Sequence, residues 1–149
     1  LVVCGHEHHY ERSHPIRGRQ ANATLTPIPA STATDVIDTT KGCVHMVIGG
    51  GGTSKPSNGA FFDPPACRVI TAVGEKDPAT GKRPPIYAHE PAPWSAVRNA
   101  AHAYGFAAFT VDPGAPGGET TIEVVYYDVV EDGRLSPFER FTLRRPRRA

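Results

Sequence analysis

Short apolar runs separated by long polar stretches dominate this chain. Residues 1–4 (LVVC) are apolar without interruption, which predicts a buried parallel strand. CVHMVI at 43–48 predicts a second strand, and it runs directly into four consecutive glycines at 49–52. CRVITAV at 67–73 predicts a further strand or extended segment.

The C-terminal third has the clearest strand pattern. YGFAAFTV at 104–111 predicts a strand, and residues 119–130 alternate as expected for a long one. Asp132-Gly133 is a typical hairpin turn, and residues 138–143 then predict a last strand that pairs with the one before it. The pattern therefore predicts an antiparallel C-terminal meander.

The remaining segments predict little regular structure. Residues 15–42 and 74–93 are rich in proline and predict long surface loops, as does the stretch 53–66. Residues 94–101 form the one plausible helix, and it is short. We expect a single strand-rich domain over residues 1–143 and a frayed basic tail over 144–149.

Composition narrows the possible classes. Glycine and proline together are 30 of 149 residues, which argues against a helical bundle. The net charge is +1, and the basic excess lies in the last ten residues, so a nucleic-acid-binding body is disfavoured. No apolar run reaches about 18 residues, so no membrane-spanning helix is expected. Because the chain begins inside an apparent core strand, we expect it to be the C-terminal piece of a longer protein.

Three cysteines, Cys4, Cys43 and Cys67, leave the redox state open. No CxxC pair is present, so the spacing favours neither a zinc ribbon nor a thioredoxin-type site. Cys43 and Cys67 could form a disulfide in an exported protein, and three free thiols are an equally good interpretation.

The segment after the first strand carries the candidate chemistry. In an extended chain His6 and His8 point to the same side, and imidazole is the commonest metal ligand. Gly5 allows the backbone to bend sharply there. Two histidines do not complete a metal site, so we expect the other ligands to lie outside this sequence. Alone, the pair is more typical of two polar loop histidines; its position at the end of a strand favours a site.

GHEHHYERS (5–13) resembles GHxHxYER, the last metal-binding motif of the purple acid phosphatases, a branch of the binuclear metallophosphoesterases. GCVHMVIGGGGTSKPSN (42–58) and PAPWSAVRNAAHAYGFAAFTV (91–111) are similar to later segments of that family, in the same order. The resemblance implies an α/β fold: the C-terminal part of a metallophosphoesterase-type α/β sandwich. The family's glycine-rich turn often has Asp where this chain has Gly50.

The resemblance also implies a chemistry. His6 would bind a divalent ion (Zn, Mn or Fe) and His8 an Fe(III) ion, with the other ligands of the two metal ions upstream. A metal-bound hydroxide would attack phosphorus and hydrolyse a phosphate monoester, in an extracytoplasmic or secreted enzyme. His9 is either a phosphate contact or, as we favour, an exposed loop histidine.

Structural roles are expected for the rest of the motif. Tyr10, Glu11 and Arg12 would hold the loop rigid through an Arg–carboxylate pair and a packed ring, with Gly5 at the bend. Two alternatives to the phosphatase remain open: a phosphodiesterase or nucleotidase of the same superfamily, and a non-catalytic, exported, strand-rich module. In the enzyme interpretation the isolated fragment is inactive, and the oligomeric state stays open.

Overall fold

The fold is built from β-strands. A computed structural model covers the chain, and the residues described are 1–52, 55–56, 65–98, 102–130 and 132–148. No α-helix occurs within these ranges. The strands are β1 (Val2–Cys4), β2 (Tyr10–Ser13), β3 (Ile16–Arg19), β4 (Pro27–Pro29), β5 (Val36–Asp38), β6 (His45–Ile48), β7 (Ala66–Val73), β8 (Pro85–Pro91), β9 (Ser95–Arg98), β10 (Gly105–Asp112), β11 (Glu119–Val129) and β12 (Leu135–Pro146).

The first four-stranded sheet, here the N-terminal sheet, has the order β1-β6-β2-β9. β1 is parallel to β6, with Val2 opposite His45, whereas β2 is antiparallel to both of its neighbours. The predicted parallel strand at the start of the chain is therefore confirmed. Its predicted burial is wrong: Val2 and Val3 are 43% and 48% exposed, because β1 is the edge strand and pairs on one side only among the described residues.

The second four-stranded sheet, here the C-terminal sheet, has the order β10-β11-β12-β5 and contains the predicted antiparallel meander. The turn between β11 and β12 includes Gly133, whose φ of 79° suits glycine. β12 extends to Pro146, so the prediction of a frayed tail from residue 144 is wrong for its first part. Arg144 and Arg145 stay ordered because β11 is long enough to pair with them, through Thr121 and Thr120.

The hydrophobic core lies between these two sheets. Alternate residues of each strand face inward, so both sheets contribute. The fully buried members are Tyr10, Val44 and Met46 on the N-terminal side and Ile37, Val124, Tyr126, Phe141 and Leu143 on the C-terminal side. The sandwich is thus held by interdigitating side chains rather than by shared backbone hydrogen bonds.

Two ribbons replace segments predicted as loops. β3 pairs with β4 inside the predicted loop 15–42, which also supplies β5, and β8 of the predicted loop 74–93 pairs with β7. These loop predictions are wrong because proline, which cannot donate to a ladder, stands at the ends of β4 and β8, where a strand tolerates it. Most of the predicted loop 53–66 lies outside the described residues.

The predicted helix at 94–101 is also wrong. Residues 95–98 form β9, in which Val97 lies opposite Arg12 of β2. Pairing with an existing strand satisfies the backbone groups of this segment and outweighs its weak helix preference. Residues 99–101 lie outside the described ranges.

Two further sequence questions are answered by the described residues. Cys4, Cys43 and Cys67 are all free thiols, so the disulfide alternative is not formed. No helix in the described ranges is long and apolar enough to cross a membrane.

Two phenylalanines of the C-terminal sheet provide a matched test of the core. Phe141 is 1% exposed and Phe109 is 40% exposed. We expect Phe141→Ala to lower the free energy of unfolding by about 3–5 kcal/mol, because it leaves a cavity between the sheets. Phe109→Ala should cost clearly less. Chemical denaturation of both variants measures this, and equal costs would contradict the assignment of the core.

Candidate functional site

The histidine loop, residues 5–9, connects β1 to β2 and is tightly turned. The N–H of His9 donates to the carbonyl oxygen of Glu7 at 2.9 Å, and His6 has a φ of 76°, which is uncommon for a non-glycine residue. The expectation of an extended chain through His6 and His8 is therefore wrong, because the chain must reverse to start β2. Both histidines are exposed, and His8 Nδ1 lies 3.1 Å from the Lys55 carbonyl oxygen.

Gly5 does not hold the sharp conformation expected of it. Its φ is not positive, and a Cβ there would be an ordinary 3.8 Å from the Ile48 carbonyl oxygen. The left-handed residue of the loop is His6 instead. A side chain would instead not fit in the glycine-rich turn after the neighbouring strand, β6.

The first two glycines of that turn are required by close packing. A Cβ on Gly49 would overlap the Glu7 carbonyl oxygen, and a Cβ on Gly50 would overlap that of Ala103. The N–H of Gly49 also donates to the His9 carbonyl oxygen at 3.2 Å. The turn thus follows a tight path, and it lies between the histidine loop and the segment that precedes β10.

His9 is buried, with 7% of its surface exposed, so the favoured expectation of an exposed loop histidine is wrong. Its Nε2 lies 3.5 Å from Oε2 of Glu11. The other carboxylate oxygen of Glu11, Oε1, accepts a hydrogen bond from Ser95 Oγ at 3.2 Å. The ring is drawn inward because β2 begins at the next residue. This burial argues against direct contact between His9 and a substrate.

Tyr10 and Arg12 tie the two sheets together through one carboxylate. The Tyr10 hydroxyl donates to Glu139 of β12, and Arg12 donates to the same group through Nη2 and through Nε at 2.8 Å. Both side chains of β2 are 0% exposed, and the Arg12 guanidinium lies 4.4 Å from the centre of the Phe141 ring. The Arg–carboxylate pair expected from the motif thus exists, with a partner 127 positions away.

A β-bulge in β12 makes this arrangement possible. Between β11 and β12 the register shifts from Tyr126–Glu139 to Tyr127–Pro137, which leaves Phe138 without an opposite residue. Consecutive side chains of a regular strand point to opposite faces. Here Glu139 bonds Tyr10 while Phe138 packs edge-on against the same ring, at 6.2 Å between centres. Tyr126 stacks on its other side at 3.8 Å.

Sequence reasoning missed the pair formed by His102 and Asp128. His102 Nδ1 lies 2.7 Å from Asp128 Oδ2, and its ring stacks on Phe138 at 3.8 Å between centres. The aspartate side chain is 11% exposed and the histidine side chain 29%. Because 26 positions separate the two residues, no local spacing could have indicated the pair.

The ionisable groups of the described residues do not complete a metal site. Those residues contain no group of three or more His, Cys, Asp or Glu side chains that could hold a metal ion. The histidine loop offers His6 and His8 as two candidate ligands.

Two proteins of Mycobacterium tuberculosis are similar to this chain: Uncharacterized protein MT2654 of strain CDC 1551 / Oshkosh and Uncharacterized protein Rv2577 of strain ATCC 25618 / H37Rv. Each is 57% identical over 148 residues, which cover 99% of this chain. The chain spans 28% of the length of each of these relatives. No family model matches the sequence. No solved structure matches it significantly.

Removing the shared carboxylate should be costly. Glu139→Gln leaves the Arg12 charge buried without its counter-charge, so we expect a loss of about 3–5 kcal/mol in the free energy of unfolding. Glu123→Gln is the matched control, because Glu123 pairs with Arg140 while 42% of its side chain is exposed. That variant should lose less than about 1 kcal/mol. Chemical denaturation measures both, and similar losses would refute a special role for Glu139.

Tyrosine ionisation should limit stability at alkaline pH. Burial, followed by the charge of Asp128, raises the pKa of Tyr126 to about 12. Burial, followed by the charge of Glu139, also raises the pKa of Tyr10. Because an unfolded tyrosine has a pKa of about 10, this stabilisation is complete below pH 10 and is lost as the pH rises towards 12.

Denaturation at increasing pH, with tyrosinate absorbance followed in parallel, tests this expectation. Tyr126→Phe should remove an absorbance step near pH 12. A free energy of unfolding that stays constant between about pH 10 and 12 would contradict it.

Proposed function

We propose that this chain is the C-terminal part of the catalytic domain of a binuclear metallophosphoesterase that hydrolyses phosphate monoesters. The observation that carries the proposal is the placement of GHEHHYERS: the two motif histidines are exposed on a tight loop at the carboxyl end of a parallel strand. Ligand chemistry gathers at such strand ends in α/β sheets. The resemblance to the purple acid phosphatases supplies the reaction.

His6 and His8 fit the role of ligands to two metal ions. They are exposed, their rings offer nitrogen donors, and His6 has a positive φ within the tight loop. In the proposal, carboxylate and other ligands come from protein outside these 149 residues. A bound metal pair would lower the pKa of a coordinated water and neutralise charge on the phosphoryl oxygens.

The residues around the loop support its geometry. Gly49 packs against the backbone of Glu7 on one side, and Tyr10, the first residue of β2, is fixed by Tyr126 and Glu139 on the other. A displacement of about 1 Å can cost about 100-fold in rate, so an enzyme of this kind needs such a rigid base. The buried ion pair between Arg12 and Glu139 contributes to this rigidity and does not involve His6 or His8.

Removing either motif histidine tests the proposal. In the complete protein containing this chain, loaded with Fe, Zn or Mn, we expect His6→Ala and His8→Ala each to lower hydrolysis of p-nitrophenyl phosphate by about 100-fold or more. Even outer partners of metal ligands typically contribute about 10–100-fold. Metal analysis should find two ions per wild-type chain and a reduced content in each variant.

His89→Ala is the matched control, because His89 is an exposed histidine on β8, far along the chain from the loop. It should retain full activity and metal content. Unchanged activity in both loop variants would end the phosphatase assignment. A wild-type protein that neither binds metal nor hydrolyses esters would favour the non-catalytic module.

The choice of ester separates the two enzymatic alternatives. A phosphomonoesterase should hydrolyse p-nitrophenyl phosphate much faster than its bis-ester, whereas a diesterase should show the opposite preference. The YER extension and the segment at 91–111 favour the monoesterase. Faster cleavage of the bis-ester would transfer the assignment to the diesterase.

A further inference from the structure

The His102–Asp128 pair has the geometry of an oriented proton-transfer group. An ionised carboxylate only accepts hydrogen bonds, so the 2.7 Å contact from Asp128 Oδ2 requires the proton on Nδ1 of His102. Nε2 is then the nitrogen that exchanges a proton. Stacking on Phe138 fixes the plane of the ring, while 29% of the side chain remains exposed.

The pair lies beside the histidine loop. Gly49 contacts the Glu7 carbonyl and the next residue, Gly50, contacts that of Ala103, which follows His102 directly. Because consecutive Cα atoms are 3.8 Å apart, the two carbonyl oxygens lie within about 11 Å of each other. The histidine loop and the segment that follows His102 thus both touch the same glycine turn through their backbones.

Three aromatic side chains, Tyr10, Tyr126 and Phe138, pack next to His102 and the start of β2. Tyr126 donates from its hydroxyl to the His102 carbonyl oxygen at 3.2 Å and stacks on Tyr10, the residue that follows the histidine loop. Phe138 contacts both Tyr10 and His102. Tyr10, the residue after the loop, and His102 therefore both contact Tyr126 and Phe138.

We propose that His102, oriented by Asp128, is the general acid that protonates the leaving oxygen of the substrate. The inference rests on the proposed phosphoesterase function. A hydroxide attacks phosphorus, the bond from phosphorus to the leaving oxygen breaks, and its electron pair stays on that oxygen. The oxygen takes the Nε2 proton, which leaves a neutral imidazole whose Nδ1–H still donates to Asp128.

His102 contacts one carboxylate and two aromatic side chains. In the described part of the chain Asp128 and Tyr126 face it from β11, and from β12 the uncharged ring of Phe138 does. No cationic side chain is among these contacts.

Leaving-group dependence tests the assignment in the complete, metal-loaded protein. General acid catalysis contributes typically about 10²–10⁴-fold, and most where the leaving oxygen is strongly basic. We therefore expect His102→Gln to lower hydrolysis of phenyl phosphate by about 100-fold or more, and of p-nitrophenyl phosphate by about 10-fold or less. Asp128→Asn, which preserves the shape of the side chain, should show the same selectivity with a smaller loss.

A second measurement does not depend on activity. In metal-free complete protein labelled with ¹⁵N-histidine, the imidazole shifts should show a proton on Nδ1 of His102, and Asp128→Asn should abolish that preference. A His102 ring protonated only on Nε2 would overturn the proposal.

The other variants separate a failure of the acid role from a failure of the proposed phosphoesterase function. His89→Gln should leave both substrates unaffected. If His102→Gln lowers the hydrolysis of both esters equally, or of neither, the acid role is overturned. The proposed function would still stand if His6→Ala and His8→Ala lower activity as expected. If His102→Gln does not fold, the same comparison with Asp128→Asn decides. An inactive wild-type protein would overturn both proposals together.

Discussion

The buried contact among Arg12, Tyr10 and Glu139 is the constraint on which the rest of the structure depends. It joins the N-terminal sheet to the C-terminal sheet through a charge that has been removed from water. Such a charge is tolerated only while its counter-charge and hydrogen bonds are in place. The two sheets therefore have one favourable alignment, and the residue after the histidine loop is anchored in it.

Two local irregularities, a β-bulge and a glycine turn, position the segments around the histidine loop. The bulge at Phe138 lets two consecutive residues of β12 serve the same buried cluster, whereas a regular strand would point one of them to solvent. Because Gly49 and Gly50 have no side chains, the backbone of this turn can contact Glu7 of the histidine loop and Ala103 before β10. The paired strands thus hold the histidine loop and the segment before β10 against one glycine turn.

The edge differs in character from the interior that supports it. His6 and His8 are exposed, whereas their supporting residues Tyr10 and Arg12 are fully buried. Burial restricts the movement of Tyr10 and Arg12, whereas His6 and His8 face solvent.

The sequence by itself determined β1, β6, the antiparallel meander and the position of the histidine loop after a parallel strand. These features depend on residues close together in the chain, because strand periodicity, turn residues and the GHxHxYER string are local signals. Only the tertiary structure decided the strand at 95–98, the ribbons inside the predicted loops, the burial of His9 and the His102–Asp128 pair. Each of these depends on a partner distant in sequence, as Arg12 depends on Glu139, and the free energy of such pairings arises only when the two sheets close on each other.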